Sequence, residues 1–214
     1  MILAVDGPAG SGKSTIAAAV ASRLGVTHVD TGAMYRALAL KVLRRGIAPE
    51  DEDGVTGLMG ETDITVGDGR VLLDGEEVQG LIRSPEVTAA SSKVAEYQPV
   101  RRWMVDRQRR VAGAAPGGAV VEGRDIGTVV LPDADLKVYL TASEEQRARR
   151  RSLQRGATAE EALQEVSSRD NRDMVRRYSP LRPADDAYVL DTTELSVEQV
   201  VEAVLEALRG RLAP

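Results

Sequence analysis

The chain has 214 residues, of which 43% are hydrophobic and 29% are charged, and its formal net charge is −5. This composition is typical of a globular protein and excludes a disordered chain, and the acidic balance disfavours a nucleic-acid-binding role. Because the sequence has no cysteine, disulfides, thiolate metal sites and a cysteine nucleophile are excluded as well.

The basic residues are unusual in kind, because only four of the 28 are lysines. Arginine can bind a phosphate group with two parallel hydrogen bonds and lysine cannot, so this bias is compatible with phosphate ligands. The first motif begins at Gly7, which leaves no room for a signal peptide, and no apolar run approaches the length of a membrane span. We therefore expect a cytoplasmic protein with no membrane partner, and the lack of a long exposed apolar stripe predicts a monomer.

The first part of the chain alternates short apolar runs with helical patterns. Strands are predicted at Ile2–Val5 and Val26–Val29, and helices at Lys13–Leu24 and Ala33–Arg45. Glycine follows each predicted helix, at Gly25 and Gly46, as is common after a helix C-terminus. This order indicates a parallel sheet covered by helices.

Residues 63–78 interrupt the alternation. Two short β-branched and aliphatic runs flank the turn Gly67-Asp68-Gly69-Arg70, and Asp74-Gly75 forms a second turn. Such a pattern predicts a hairpin or a small three-stranded antiparallel sheet. We interpret the segment as an insertion.

The second half returns to the α/β pattern. Pro85–Val111 is mostly helical, strands are predicted at Ala119–Val121, Leu136–Leu140 and Tyr188–Leu190, and Glu144–Leu153 is a helix rich in arginine. Capping boxes at Thr158 and Ser196 begin two more helices, the first of which runs to about Arg177. The sequence thus predicts a three-layer α/β/α core with a mostly parallel five-stranded sheet.

Between the first strand and the first helix, the segment Gly7-Pro8-Ala9-Gly10-Ser11-Gly12-Lys13-Ser14 fits the phosphate-loop pattern G-x-x-x-x-G-K-[ST], and Thr15 follows it. In this motif backbone N–H groups converge on phosphate oxygens at a helix N-terminus. Lys13 would reach the β- and γ-phosphates of ATP, and the Ser14 hydroxyl would ligate Mg²⁺. The alternative is a structural glycine-rich turn. ATPases, GTPases and regulatory switches also share the loop, although no Asn-Lys-x-Asp stretch typical of guanine recognition is present.

Two further motifs follow predicted strands. Asp30-Thr31-Gly32-Ala33-Met34-Tyr35-Arg36 follows the second strand, and Glu122-Gly123-Arg124-Asp125-Ile126-Gly127-Thr128 follows the third. Both fall at the carboxyl edge of the sheet, where open α/β folds bind ligands. Each alone is also compatible with a helix cap and a surface ion pair. Together they predict a second anion site that faces the phosphate loop.

The segment after the fourth strand carries five arginines: Arg147, Arg149, Arg150, Arg151 and Arg155. Helical spacing places Arg147, Arg151 and Arg155 on one face, where they would repel one another unless anions lie near. A solvated charged helix is the alternative. We interpret the segment as a lid that closes over nucleotide phosphates, with Gly156 as its hinge.

On these motifs the sequence resembles bacterial cytidylate kinases along essentially its whole length. The matching elements are Gly7–Thr15, Asp30–Arg36, the insertion at 63–78, Arg101, Glu122–Thr128 and Arg169–Leu181. The phosphate loop is generic, whereas the motifs at 30–36 and 123–128 are much more specific to this family. The resemblance implies a core (1–30, 115–145 and 178–214), an acceptor-binding part (31–114) that contains the insertion, and a mobile lid (146–177).

The resemblance also implies roles for individual residues. Lys13, Arg36, Arg124 and Arg151 would act in catalysis, and Arg36 and Arg124 would hold the phosphate of CMP. Thr31, Ser92, Arg101, Asp125, Arg169, Asp173 and Arg176 would surround the cytosine and ribose. Many relatives have Ser where this chain has Thr31, and because the hydroxyl is retained we expect tuning rather than loss.

Spacing supports part of this set, because Arg169, Asp173 and Arg176 are four and three residues apart and would share one helical face. Alone, that spacing favours a solvated face with a surface ion pair, and the aligned motif reverses the preference. A role of Asp125 at the ribose rather than the base stays open.

The implied reaction is transfer of the γ-phosphoryl group of ATP to CMP or dCMP, with Mg²⁺. An anionic phosphate nucleophile needs no strong general base, and the single histidine, His28, lies in a predicted strand where packing is its expected role. The alternatives are a uridylate, adenylate or shikimate kinase on the same fold and, in a different class, a non-catalytic nucleotide switch. A switch needs no acceptor pocket, so the paired anion sites argue against it.

Overall fold

A computed structural model describes residues 1–67 and 69–212, without the side chains of Gln154, Arg155 and Leu212. The hairpin residue Asp68 and the predicted position of the Arg155 side chain on the arginine-rich face lie outside the described residues. The strands are β1 (Ile2–Asp6), β2 (Thr27–Asp30), β3 (Ile64–Gly67), β4 (Arg70–Leu73), β5 (Glu76–Glu77), β6 (Ala119–Glu122), β7 (Leu136–Thr141) and β8 (Tyr188–Asp191). The helices are α1 (Lys13–Leu24), α2 (Thr31–Arg44), α3 (Glu52–Gly57), α4 (Pro85–Val94), α5 (Gln98–Ala114), α6 (Glu144–Arg155), α7 (Ala159–Val175) and α8 (Val197–Leu212).

Across the described ranges, five strands form one parallel sheet in the order β2-β6-β1-β7-β8. In its register, Glu122 at the end of β6 lies between Asp30 of β2 and Val5 of β1. Asp6 follows Val5 and ends β1. Three neighbouring strands therefore end on a carboxylate at the same edge, where the next loops begin. The predicted fold class is confirmed.

Helices cover both faces of this sheet, and successive residues of β1 show why. Leu3 and Val5 point into an apolar cluster with α1 and α8, whereas Ala4 points into a second cluster with α2, α4 and α5. Side chains of a strand alternate between the two faces, so one apolar strand serves both layers. The core uses Val, Leu, Ile and Ala, as expected, with Met34 and Met104 fully buried in the second cluster.

The insertion forms the predicted antiparallel sheet in the order β3-β4-β5. A buried lysine joins it to α2: the Lys41 ammonium lies 2.8 Å from an Asp74 carboxylate oxygen and donates to the Glu61 carbonyl at 2.5 Å. A second buried lysine, Lys137, donates to Asp186 at 2.8 Å. Both ammonium groups are paired, as burial of a charge requires.

The structure confirms and refines several local predictions. The segment from Pro85 to Val111 is mostly helical, as predicted, and forms two helices separated at residues 95–97, because Pro99 in the first turn of α5 favours a new helix start. The helix predicted to run to about Arg177 ends at Val175, and the backbone is extended at Arg176. The short helix α3, the 3₁₀ turn Leu58–Glu61 and a π-helical turn, Ile126–Val130, were not predicted.

None of the helices in the described part of the chain has the length and apolar character needed to cross a membrane.

Candidate active site

One cavity of about 460 Å³ lies at the carboxyl edge of the five-stranded sheet. The loop between β1 and α1 forms one end of it. At the other end lies the arginine pocket, which we define by Arg36, Arg101, Arg124, Asp125, Arg169, Asp173 and Arg176. The other predicted site residues that line the cavity are Ala9, Gly10, Gly12, Lys13, Ser14, Thr15, Thr31, Ser92 and Arg151. Gly7, Pro8 and Ser11 belong to the same loop but do not line the cavity.

The phosphate loop has the backbone that its glycines permit. Gly7 has φ of 148°, and a Cβ atom there would lie 2.1 Å from the Leu140 carbonyl oxygen, so no other residue fits. Lys13 begins α1 and is buried; its ammonium donates to the Pro8 carbonyl at 2.5 Å. Burial and the neighbouring Arg124 guanidinium hold the pKa of Lys13 well below its usual range. The loop therefore favours an incoming anion, which would offset both effects.

The Ser14 hydroxyl belongs to a chain of polar contacts. It donates to one carboxylate oxygen of Glu122 at 2.8 Å, and the other oxygen lies 2.9 Å from Nε2 of His28. Glu122 is itself buried. The packing role predicted for His28 is thus incomplete, because its ring helps to fix the carboxylate that orients Ser14.

The motif after β2 is held in place by its own side chains. Asp30 caps α2 by accepting from the Ala33 N–H at 2.9 Å, and its second oxygen accepts from Arg36 at 2.8 Å. Burial alone would raise the pKa of Asp30. The Arg36 guanidinium and the other partners of this carboxylate outweigh burial, so its pKa lies below the usual value. The Thr31 hydroxyl donates to the Glu122 carbonyl at 2.6 Å. Arg36 and Thr31 are therefore tied to the ends of two adjacent strands.

The segment after β6 is anchored by Asp6, the last residue of β1. The Asp6 carboxylate accepts from the backbone N–H groups of Ile126 and Gly127 at 2.8 and 2.7 Å. Burial raises the pKa of Asp6 to about 6 against these two hydrogen bonds. This anchor fixes the position of Arg124, whose Nε donates to Asp173 at 2.9 Å.

The deepest part of the arginine pocket is a network of opposite charges. Asp125 accepts from Arg101 at 2.5 Å and lies 3.8 Å from Arg176, and Asp173 lies 3.4 Å from Arg176. The Tyr35 ring lies beneath Arg101, with 5.8 Å between the guanidinium carbon and the ring centroid. Burial raises the pKa of Tyr35 to about 12, so the phenol stays neutral. This end can offer donors and acceptors to a planar polar ligand.

Some donors of this pocket are not used by the protein. Among the described residues, Nε of Arg36, Nε of Arg101 and Nη2 of Arg176 are buried without a hydrogen-bond partner. Such groups are rare in native proteins and point to a ligand that completes them. The Ser92 hydroxyl, at the rim, donates to the Thr88 carbonyl at 3.3 Å.

Positive charge exceeds negative charge between the two ends of the cavity. Burial and the neighbouring Arg124 guanidinium lower the pKa of Arg169 to about 9. Arg151, on α6, reaches the same space while its guanidinium contacts Glu165 of α7 at 2.6 Å. Arginine stays protonated at neutral pH despite this shift, so these guanidinium groups give the centre of the cavity a net positive charge. Such a site favours anionic ligands.

Sequence reasoning did not select several residues of this site. Asp6, Asp30 and Glu122 each end a strand of the sheet, and Tyr35 and Asp170 contact the predicted residues from α2 and α7. Position at the carboxyl end of a predicted strand is the signal that would have found the first three.

A phosphate loop and a pocket of unused arginine donors that share one cavity place the molecule in the class of P-loop kinases of small molecules. Comparison with known structures agrees with this fold: a gluconokinase from Sinorhizobium meliloti 1021 superposes with a TM-score of 0.51 at 18% identity, over 99% of this chain and 92% of that one.

Sequence comparisons give the family. The cytidylate kinase family model matches residues 3–210. A cytidylate kinase from Desulfitobacterium hafniense (strain Y51) is 49% identical, over 98% of this chain and 93% of the relative. A cytidylate kinase from Caldicellulosiruptor bescii is 48% identical, over 95% of this chain and 93% of the relative. The chain belongs to the cytidylate kinase family.

Proposed function

We propose that the protein transfers the γ-phosphoryl group of ATP to CMP or dCMP, giving ADP and CDP or dCDP. The observation that carries this proposal is that one cavity has a phosphate loop at one end and, at the other, a buried network of Arg101, Asp125 and Arg176 with donors that the protein does not use. A nucleotide-binding protein that only senses ATP has no need of the second end. Family membership supports the choice of cytidylate as the acceptor.

On the donor side, the backbone of residues 7–15 would bind the phosphates of ATP, with Lys13 at the β- and γ-phosphates. The protein's groups also fit Mg²⁺, which prefers oxygen ligands. Because the Ser14 hydroxyl donates its proton to Glu122, its lone pairs stay free for an ion. Ser14 would hold the ion, and Mg²⁺, when bound, supplies neutralisation of phosphate charge.

On the acceptor side, Arg36 and Arg124 would bind the phosphate of CMP. Arg169 lies close to both, and the fields of these guanidinium groups contribute to its lowered pKa. The base would lie in the deep network, with Thr31, Ser92, Arg101, Asp125, Asp173 and Arg176 around the cytosine and ribose. Carboxylate and guanidinium partners suit the donor and acceptor groups of cytosine.

The chemistry then follows from positioning. An acceptor phosphate oxygen attacks the γ-phosphorus in line, the bond to the bridging oxygen of the β-phosphate breaks, and ADP leaves with that electron pair. The nucleophile is already anionic, so its attack requires no strong base. Lys13, Arg36, Arg124 and Arg151 would stabilise the charge that moves between donor and acceptor.

We further propose that three parts move relative to one another: a core (1–30, 115–145 and 178–214), an acceptor-binding part (31–114) and a lid (146–177). Exclusion of water by closure would suppress hydrolysis of ATP. The expected cytoplasmic location and monomeric state stay predictions.

A coupled assay of ADP formation tests the function. The purified protein is given ATP and Mg²⁺ with CMP, dCMP, UMP or AMP, and the Lys13→Ala variant, purified in parallel, serves as a control for contaminating kinases. We expect acceptor-dependent turnover that is fastest with CMP and dCMP. Faster turnover with UMP or AMP would show that the proposed acceptor is wrong. Absence of acceptor-dependent turnover with all four nucleotides would favour a nucleotide switch.

A further inference from the structure

The apex of the phosphate loop is held from outside by two charged side chains. Asp170, on α7, is buried, and one of its carboxylate oxygens accepts from the Ala9 N–H at 2.8 Å. The other oxygen accepts from Arg147 of α6, and the same Arg147 nitrogen donates to the Ala9 carbonyl at 3.0 Å. Both backbone polar groups of one loop residue are thus satisfied by a single ion pair.

The backbone of α6 approaches the loop closely at the same place. A Cβ atom at Gly10, which has φ of 74°, would lie 2.7 Å from the Arg147 carbonyl oxygen. Only glycine allows this approach without displacement of the helix. Arg147 is further fixed by its Nε, which donates to the Ala142 carbonyl at 3.1 Å. The contact between α6 and the phosphate loop therefore involves close backbone packing as well as the ion pair.

The same two helices also carry side chains into the centre of the cavity. On α7, Arg169 is adjacent to Asp170, and Asp173 follows one turn later. On α6, Arg151 follows Arg147 by one turn, so all of these positions move together when a helix moves. A ligand that fixes α7 through the arginine pocket would therefore also fix Asp170 against the phosphate loop.

From this arrangement we infer that Asp170 and Arg147 are a positioning pair that couples occupation of the arginine pocket to binding of ATP at the phosphate loop. The inference rests on the proposed function, since it needs a second nucleotide at the arginine pocket. When CMP orders α7, the pair holds Ala9 and Gly10 in the shape that receives phosphate, so ATP binds with less ordering cost. By linkage, ATP strengthens the binding of CMP by the same factor.

The test measures the dissociation constant of a non-hydrolysable ATP analogue by calorimetry, with and without saturating CMP. In the wild-type protein CMP should tighten the analogue by about fivefold or more, the lower end of ordinary couplings. We call the dissociation constant without CMP divided by that with CMP the coupling ratio. In Asp170→Ala the coupling ratio should fall to within about twofold of one. Asp170→Asn retains an acceptor for the Ala9 N–H and weakens only the ion pair, so its ratio should lie between the two. Arg147→Gln should lower the ratio as well, which keeps the test open if Asp170→Ala does not fold.

Glu144→Gln is the matched control. Ser167 of α7 donates to Glu144 of α6, so this pair joins the same two helices at the surface without contact to the loop. Its ratio should equal that of the wild type. A purely structural role of Asp170 would lower the melting temperature, or weaken the analogue equally with and without CMP, and would leave the ratio unchanged.

The inference would be overturned if Asp170→Ala and Arg147→Gln both kept the coupling ratio of the wild-type protein. It would also be overturned if CMP did not change the dissociation constant of the ATP analogue in the wild-type protein itself. Either outcome is separate from the proposed function, which stands or fails on turnover with CMP in the coupled assay.

Discussion

In the proposed function, the two ends of the cavity would recognise phosphate in different ways. The phosphate loop is one run of nine residues whose backbone would do most of the binding, and its shape depends on Gly7, Gly10 and the start of α1. The arginine pocket is assembled from side chains of segments near residues 36, 101, 124 and 173, which only the fold brings together. A local backbone site is generic across many proteins, whereas a site built from distant side chains can be specific for one acceptor.

The difference extends to how each end is held. In the loop Lys13 is the one charged side chain, and its ammonium donates to uncharged groups of the loop itself, the Pro8 carbonyl and the Ser11 hydroxyl. In the arginine pocket each carboxylate is shared with an arginine, as for Asp125 with Arg101 and Asp173 with Arg124. Substitutions in the loop should therefore affect the chemical step, and substitutions in the pocket should affect choice and affinity of the acceptor.

Lys13→Ala tests the loop most severely. Loss of a charge that stabilises the transition state should raise the barrier by about 3 kcal/mol or more, which lowers kcat by about a hundredfold or more. Circular dichroism should show an intact fold. Lys93→Ala, which removes a surface lysine, should retain normal turnover. Normal turnover of Lys13→Ala itself would remove the loop from the mechanism.

Asp6 joins the two ends, because it ends the strand before the loop and anchors the segment that carries Arg124. Burial raises the pKa of Asp6 to about 6, so its stabilising contribution is complete below about pH 4 and is lost as the pH rises through 6. Asp6→Asn does not titrate. The free energy of unfolding of the variant, relative to wild type, should therefore rise between about pH 4 and pH 7 by up to about 3 kcal/mol.

Urea unfolding at several pH values, without nucleotides, measures this difference. A constant difference across that range would show that the Asp6 carboxyl titrates normally. A difference that falls with rising pH would show that its two backbone hydrogen bonds outweigh its burial.

Arg36→Ala and Arg124→Ala test whether the two ends are separate. Each would remove one of the proposed charge-assisted hydrogen bonds to the CMP phosphate, worth about 1.5–3 kcal/mol, so the KM for CMP should rise by about tenfold or more. The KM for ATP should change much less. Arg23→Ala, which removes an exposed arginine on α1, is the control. A rise confined to the KM for ATP would mean that donor and acceptor ends are reversed.

Asp125→Ala tests specificity within the pocket. Cytosine presents an amine donor at C4 where uracil presents a carbonyl, and a carboxylate favours the former. The ratio of kcat/KM for CMP to that for UMP should narrow by about tenfold, the value of one charged hydrogen bond. If Asp125 instead contacts the ribose, or acts only to hold Arg101, kcat/KM should fall by the same factor for CMP and for UMP.

Thr31 should give the smallest effect. Thr31→Ser keeps the hydroxyl that donates to the Glu122 carbonyl, so kcat/KM for CMP should stay within about threefold of wild type. Thr31→Val keeps the shape and removes the hydrogen bond to the Glu122 carbonyl, so it should lower kcat/KM for CMP more than Thr31→Ser does. Equal behaviour of the two variants would show that the hydroxyl does not matter.

The contrast between the two ends also explains what the sequence could predict. The loop, the capping boxes at Thr158 and Ser196 and the insertion are local patterns, and each was found with bounds close to the observed ones. The charge pairs were not predictable, because Asp125 and Arg101, or Asp170 and Ala9, are far apart in the chain and meet only through the fold. The role of the strand ends Asp6 and Glu122 was missed for the same reason. Resemblance to a family named many pocket residues without saying which of them hold one another.

The lysines of this chain have a practical consequence for labelling. Lys13 is buried, and the side chains of Lys41 and Lys137 are only 5% and 10% exposed, whereas the side chain of Lys93 is 36% exposed. Amine-reactive dyes need an accessible amine, so they should attach at Lys93 and at the N-terminus. Lys93 lies on α4 and, together with Arg172 of α7, lines a second surface cleft. A fluorophore at Lys93 would lie between the acceptor-binding part and the proposed lid, and its emission would report their approach without any engineered cysteine; the Lys93→Ala variant, labelled in the same way, gives the signal of the N-terminal dye alone.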